Sequence, residues 1–171
     1  MKVTKNTFLE VFTLPEWDEK VISIVDFLGQ ERPKDEGAGT VFVNSKEHGL
    51  EMMFDYNIGT LEQKKIIDSG SLFLNQISFS KSKKNTPLPF DINIADSYKI
   101  AIEKIISSGM NMISRYSASI GNRILVEDKN KKYFIHLNFK DESFEYLEEL
   151  VLVIYNENYD YSTLAPYKVD F

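Results

Sequence analysis

The residues able to do chemistry are few and far apart. The chain of 171 residues carries two histidines, His48 and His136, and no cysteine. Without cysteine there is no thiolate nucleophile, thiolate metal site or disulfide. His48 precedes Gly49 in a turn-like stretch, whereas His136 alternates with Ile135 and Leu137 and faces away from the apolar side of its strand. The two are expected on separate elements, each as a surface or hydrogen-bonded structural residue. No HExxH or HxH spacing gathers metal ligands onto one face. The serines lack a GxSxG setting, and neither GxxxxGK[ST] nor GxGxxG is present to hold phosphates. No catalytic residue, cofactor or metal is expected.

Carboxylates are the one abundant reactive group. Adjacent pairs occur at Asp18-Glu19, Asp35-Glu36, Glu127-Asp128, Asp141-Glu142 and Glu148-Glu149. Paired acids can share general acid–base work or bind Mg²⁺. On a strand, however, neighbours point to opposite faces, and acids in turns are usually solvated. A carboxylate-dependent enzyme is therefore the lesser alternative.

The placement of charge is more informative. Residues 141–170 hold eight acids against Lys168 alone, a net charge of −7, together with Tyr146, Tyr155, Tyr159, Tyr161 and Tyr167. Tyrosine covers large area with little loss of entropy and keeps a hydroxyl for hydrogen bonding. Acids steer a basic partner to such a surface. Glu142, Glu145, Glu148, Tyr159, Asp160 and Tyr161 are the expected partner-binding residues. A second acidic patch runs through Glu10, Glu16, Asp18, Glu19 and Asp26, and helix-terminus electrostatics account for much of it.

The elements that must position these residues alternate along the chain. Thr7–Phe12 reads as a short strand or ordered lead-in. Pro15 is expected in the first turn of a helix whose stripe is Val21, Ile24, Val25 and Leu28, stopped by Gly29. Thr40–Ser45, Leu50–Tyr56 and Ser71–Ser80 read as strands, with a possible short helix over Leu61–Asp68. Lys81–Pro89 is polar, with two prolines, and reads as a linker between halves. Phe90–Ile94 is expected as a strand. It is followed by a helix capped by Asp96 or Ser97, with Ala101, Ile102, Ile105 and Ile106 inward and Gly109 at its end. Strands are expected at Arg123–Glu127, Tyr133–Phe139 and Glu149–Tyr155.

Strand–helix–strand–strand–strand thus recurs, with offsets near 80 residues. The expected fold is α+β: two pseudo-repeated halves, about 7–80 and 88–156, each a curved antiparallel sheet with one packed helix. They share one core in a single domain spanning 1–171, with an acidic, tyrosine-rich C-terminal segment over 157–171. A net charge of −6 disfavours direct nucleic-acid binding, which needs cations to displace counterions. No apolar run has the length of a membrane span, and Met1–Phe12 lacks the apolar stretch of a signal peptide. With no cysteine, a cytoplasmic location is expected.

Thr86-Pro87-Leu88-Pro89-Phe90 through the helix to Gly109, then Arg123 to Tyr155, resembles a pattern seen in several bacterial immunity proteins. In these, an LPF-type turn precedes a helix and alternating strands. Asp91 stands where that pattern often has Gly. The resemblance covers roughly 70 residues and points to immunity proteins of contact-dependent growth inhibition and related polymorphic-toxin systems. It implies a cytoplasmic protein that binds a cognate toxin C-terminal domain, often a basic nuclease, by stoichiometric tight association. It also implies that an exposed sheet edge can accept a toxin β-hairpin as an added strand. A monomer is expected before the complex forms. The alternative is an adaptor or chaperone-like protein for an exported partner.

Overall fold

The computed structural model describes residues 3–12, 14–34, 39–56, 71–84, 86–108, 112–117, 123–128, 133–141 and 143–154, with residues 112–117, 127 and 128 described by backbone alone. In order, these form α1 (Lys5–Glu10), α2 (Glu19–Phe27), β1 (Thr40–Ser45), β2 (Leu50–Asp55), β3 (Phe73–Ser80), a 3₁₀ turn (Pro89–Asp91) and α3 (Tyr98–Ser107). The last four are β4 (Met112–Ser117), β5 (Arg123–Asp128), β6 (Tyr133–Phe139) and β7 (Leu147–Ile154). The class is α+β, as expected.

All seven strands lie in one antiparallel sheet of order β1-β2-β3-β7-β6-β5-β4. Two meanders, β1–β3 and β4–β7, join where β3 pairs with β7. The final strand therefore lies at the centre, which suits its apolar sequence, because both of its edges are hydrogen-bonded. One row of side chains, Val43, Met52, Ile77, Leu152, Ile135 and Val126, crosses six strands on the core face, all buried. The helices contribute Phe8, Val21, Ile24, Val25, Ala101, Ile102 and Ile105 to the same cluster. Alternation of period 2 on strands and of 3.6 on helices points these apolar sets at one another.

The structure corrects four local expectations. Thr7–Phe12 is not a strand: Lys5–Glu10 is helical, and the Thr4 N–H donates to Thr7 Oγ1 at 3.0 Å. Phe8, Val11 and Phe12 are buried together, at the i, i+3, i+4 spacing of a helix face. Pro15 does not open α2. It forms an isolated bridge with Phe73, and the Leu74 N–H donates to Leu14 O at 3.1 Å. Asp18 is the N-cap of α2, its carboxylate accepting from the Lys20 N–H at 2.8 Å.

Phe90–Ile94 is a turn rather than a strand, with Phe90 at φ 61°, Asp91 at φ 57° and the Ile92 N–H bonded to Pro89 O. Phe90 and Ile92 are buried while Asp91 and Asn93 are exposed, so the turn reproduces the burial alternation of a strand. Ile106 leaves the inward stripe of α3 and is 51% exposed. The possible helix at Leu61–Asp68 and the stop at Gly109 lie outside the described residues.

Lys81–Pro89, which leads from β3 towards α3, is tied to the β1–β2 turn. The N–H groups of Lys83 and Lys84 donate to Glu47 O at 3.0 and 2.9 Å, and Thr86 is buried.

Ion pairs divide by environment. Lys104 Nζ reaches Asp96 Oδ2 at 2.7 Å with both side chains largely shielded, and the Asn93 N–H donates to the same oxygen at 2.8 Å. Lys20 and Glu10 pair in the open. Asp96→Ala is expected to cost about 2 kcal/mol, because a shielded acceptor of two bonds is lost. Glu10→Gln is expected to cost under about 0.5 kcal/mol. Urea unfolding of the two variants tests the ranking, and equal costs would contradict it.

Candidate functional site

The histidines do not meet. His48 lies in the β1–β2 turn, buried, with Nδ1 3.1 Å from Thr86 Oγ1 and its ring 4.6 Å from that of Phe27. Burial, then the Lys84 charge, lowers its pKa. His136 lies on β6, three strands away, flanked in register by Leu125 and Val151. Its face is the one away from the helices, yet Leu125, Phe134 and Val151 are buried there. His136 is accordingly half-buried, and desolvation, aided by Arg123, pushes its pKa down to about 4. Both rings are neutral structural groups at neutral pH.

The carboxylates are dispersed as well. Asp18 caps α2, and Glu149 accepts from Asn138 Nδ2 at 2.6 Å. Arg123 Nε donates to Asn138 Oδ1 at 2.8 Å, completing a polar row across β5, β6 and β7. Asp35 and Glu36 lie outside the described residues. Among the described residues no group of three or more His, Asp or Glu is placed to hold a metal ion.

The acidic set of the last third is organised by the β6–β7 connection. Lys140, Phe144, Tyr146 and Leu147 are held by backbone hydrogen bonds. The Lys140 N–H donates to Tyr146 O at 2.9 Å, the Ala95 N–H to Leu147 O at 2.8 Å, the Leu147 N–H to Asp96 O at 2.9 Å and the Tyr98 N–H to Phe144 O at 2.8 Å. Phe144, in the left-handed region at φ 55°, turns its ring against Phe139 and Tyr98. Asp141 accepts from the hydroxyl and the backbone N–H of Ser143, which lowers its pKa and keeps it ionised.

Glu145 is exposed in this connection and Glu148 is exposed on β7, with Tyr146 between them in sequence, 58% exposed. Phe139 pairs with Leu147 and Asn138 with Glu149, so Glu148 is the extra residue of a β-bulge, the usual means of re-aiming a side chain. Glu145 and Glu148 are thus both exposed at the start of β7. Tyr146, part of the tyrosine-rich stretch but not of the expected set, joins them. Glu142, Tyr159, Asp160 and Tyr161 lie outside the described residues.

A second feature escaped the sequence reading. β1 is an edge strand of the described sheet. A groove of about 430 Å³ runs beside it, lined by Thr40–Asn44 on one side and residues 30–34 on the other. Residues of both alternating sets line it, so it follows the strand's edge rather than either face. Phe42 stands 55% exposed there. β1 has no proline, lysine or arginine, the residues that guard edges against pairing. Ser45, Leu50, Phe79 and Leu150 share one register row. That row places the acidic loop at the same end of the sheet as the β1–β2 turn, about 14 Å from β1 at ordinary strand spacing.

No protein-family model, curated protein or solved structure matches the chain.

Proposed function

We propose that this chain is an immunity protein that neutralises a cognate toxin domain, a basic nuclease, by stoichiometric binding in the cytoplasm. The observation that carries the reading is the fastened β6–β7 loop, which presents Glu145, Tyr146 and Glu148 in a fixed arrangement. A preorganised acidic and aromatic surface suits a basic protein partner, because little ordering entropy is lost on docking. The β1 edge takes a strand of the toxin as an eighth strand, the docking mode that the family resemblance implies. An interface of ordinary size, roughly 800 Å² per partner, is broad enough to cover both features.

The same reading treats the halves 7–80 and 88–156 as related copies within one domain. Antiparallel pairing of β3 with β7 sets β2 opposite β6 and β1 opposite β5, in support of that relation, and β4 is then an addition to the second copy.

The test is copurification with the product of the gene directly upstream, with growth scored on co-expression. A one-to-one complex with rescue of growth is the expected result. Absence of both overturns the proposal, and binding to several unrelated apolar partners favours the adaptor instead. Within a complex, the double change Glu145→Lys, Glu148→Lys is expected to slow association about tenfold at low salt and to change dissociation little, as loss of steering does. Stopped-flow kinetics at two salt concentrations measure this. An unchanged association rate would remove the loop from the interface.

A further inference from the structure

The two edges of the described sheet are guarded differently. β4 carries Arg115 and a register shift between Met112 and Arg115. A cation and a bulge are ordinary devices against stray pairing at an edge. β1, the other edge, has neither: it pairs with β2 in unbroken register, and Thr40–Ser45 hold no charge, proline or glycine. That is the profile of a segment that pairs with copies of itself. The pairing is also self-complementary. A second β1 set antiparallel about Phe42 places Phe42 opposite Phe42, Val41 opposite Val43 and Thr40 opposite Asn44, apolar against apolar and polar against polar. Such an edge joins two copies of a chain about a two-fold axis unless something prevents it.

The preventing element lies beside the strand and not on it. Residues 30–34 leave the end of α2 at the β1–β2 turn, where the Phe27 ring lies 4.6 Å from that of His48, and form the far wall of the groove along β1. The wall is held at its start, where the Gln30 N–H donates to Val25 O at 3.2 Å, and Pro33 is buried within it. Glu31, Arg32 and Lys34 are exposed. Among the described residues no backbone hydrogen bond joins 30–34 to 40–44, so the wall flanks the edge without pairing with it. Pro33 has no N–H to offer a ladder. Covering an edge with a loop is a known form of protection, and this loop supplies the charges and the proline that β1 lacks.

We infer that residues 30–34 are a strap that keeps a second copy of this chain off the β1 edge while leaving room for a lone extended segment. The groove between strap and strand holds about 430 Å³. An added strand stands about 4.8 Å from β1, and a lone segment ends there. A second copy brings its own β2 about 4.8 Å further out, on the side where the strap stands. It also brings its own strap, of the same net positive charge. Admission of a lone strand rests on the β1 docking proposed above, whereas exclusion of a second copy does not.

Sedimentation equilibrium of the full chain tests the strap. The parent is expected at the monomer mass from micromolar to millimolar concentration. A variant with Glu31→Gly, Arg32→Gly, Pro33→Gly and Lys34→Gly is expected to shift to twice that mass, and Phe42→Lys added to it to restore the monomer. A parent that dimerises overturns the inference. So does a strap variant that is folded by circular dichroism and stays monomeric, or one whose dimer survives Phe42→Lys. A second measurement needs no variant of the chain. The parent is titrated with a synthetic peptide of the sequence Thr40–Ser45 while its amide resonances are followed. Saturable shifts are expected in residues 30–34 and β1, with binding about fivefold weaker when alanine replaces the peptide's phenylalanine. A peptide that leaves β1 unshifted overturns the access of a lone segment. Failure of copurification with a toxin leaves the mass of the free chain unchanged, so the two proposals fail separately.

Discussion

Gly49→Ala is expected to destabilise the protein by about 3–5 kcal/mol, the largest effect of an alanine at any of the described glycines. Two costs combine. Gly49 has φ +59°, and a left-handed residue with a Cβ costs about 1–2 kcal/mol. A Cβ at this position would also meet Ser80 O at 2.4 Å, Ser82 Cβ at 2.9 Å and Lys81 C at 3.0 Å. Two of these are backbone atoms that no rotamer change can move, so overpacking adds about 1–3 kcal/mol. The surroundings cannot yield cheaply. The Ser80 N–H donates to Gly49 O at 2.7 Å, and Glu47 O accepts from Lys83 and Lys84.

Gly29→Ala is the matched control. Gly29 has φ +65° with nothing within 4 Å of the added Cβ, so it carries the conformational cost alone, about 1–2 kcal/mol. Urea melts of the two variants separate backbone strain from steric conflict. Equal losses would mean that the β1–β2 turn moves freely against residues 80–84. Because that turn fixes where β1 begins its pairing with β2, the same variant is also expected to loosen the β1 edge.

Period-2 patterning explains why much of the sheet was legible. Leu50, Met52 and Phe54, and likewise Tyr133, Ile135, Leu137 and Phe139, alternate without interruption, and all are buried. β4 went unread because Ser114, Arg115 and Ser117 break any apolar alternation, and only its pairing with β5 makes it a strand. The lead-in failed for the opposite reason. Phe8, Val11 and Phe12 carry a helical period, but their β-branched and aromatic types favour a strand, and burial against the sheet overrode that propensity.

Of the candidate site, the acids could be read as a charge excess. Their grouping could not. It depends on a bulge at Glu148 and on bonds from Ala95 and Tyr98, fifty residues back along the chain. The β1 groove was equally hidden, because which strand ends a sheet is a property of topology and not of that strand's residues.

The same topological blindness concealed the environment of His136, and the second large prediction rests on it. Alternation placed the ring away from the apolar face of β6, which suggested solvent. In the sheet it lies half-buried between the buried Leu125 and Val151, and its pKa falls to about 4. In the unfolded chain the imidazole titrates near 6.5. Between these values the unfolded state binds the extra proton and the native state does not, so stability falls as pH drops from 6.5 towards 4 and is unaffected above that window. At pH 4.5 the loss amounts to about 2.5 kcal/mol.

Carboxylates titrate in the same range, so the parent's acid lability alone cannot identify the histidine. His136→Gln removes the titration and leaves the carboxylates in place. The stability difference between pH 7.5 and pH 4.5, from urea melts, is expected to be about 2.5 kcal/mol smaller in the variant. At pH 7.5 the variant pays only for altered packing, so its curve starts below the parent's and crosses it as the pH falls. Parallel curves would show that His136 takes up its proton equally well in the folded sheet, and that the face opposite the helices admits water at β6. A crossing would fix that face as a second dry layer. Both faces of the central strands would then be closed, leaving the β1 edge and the acidic loop as the surfaces that the proposed function uses.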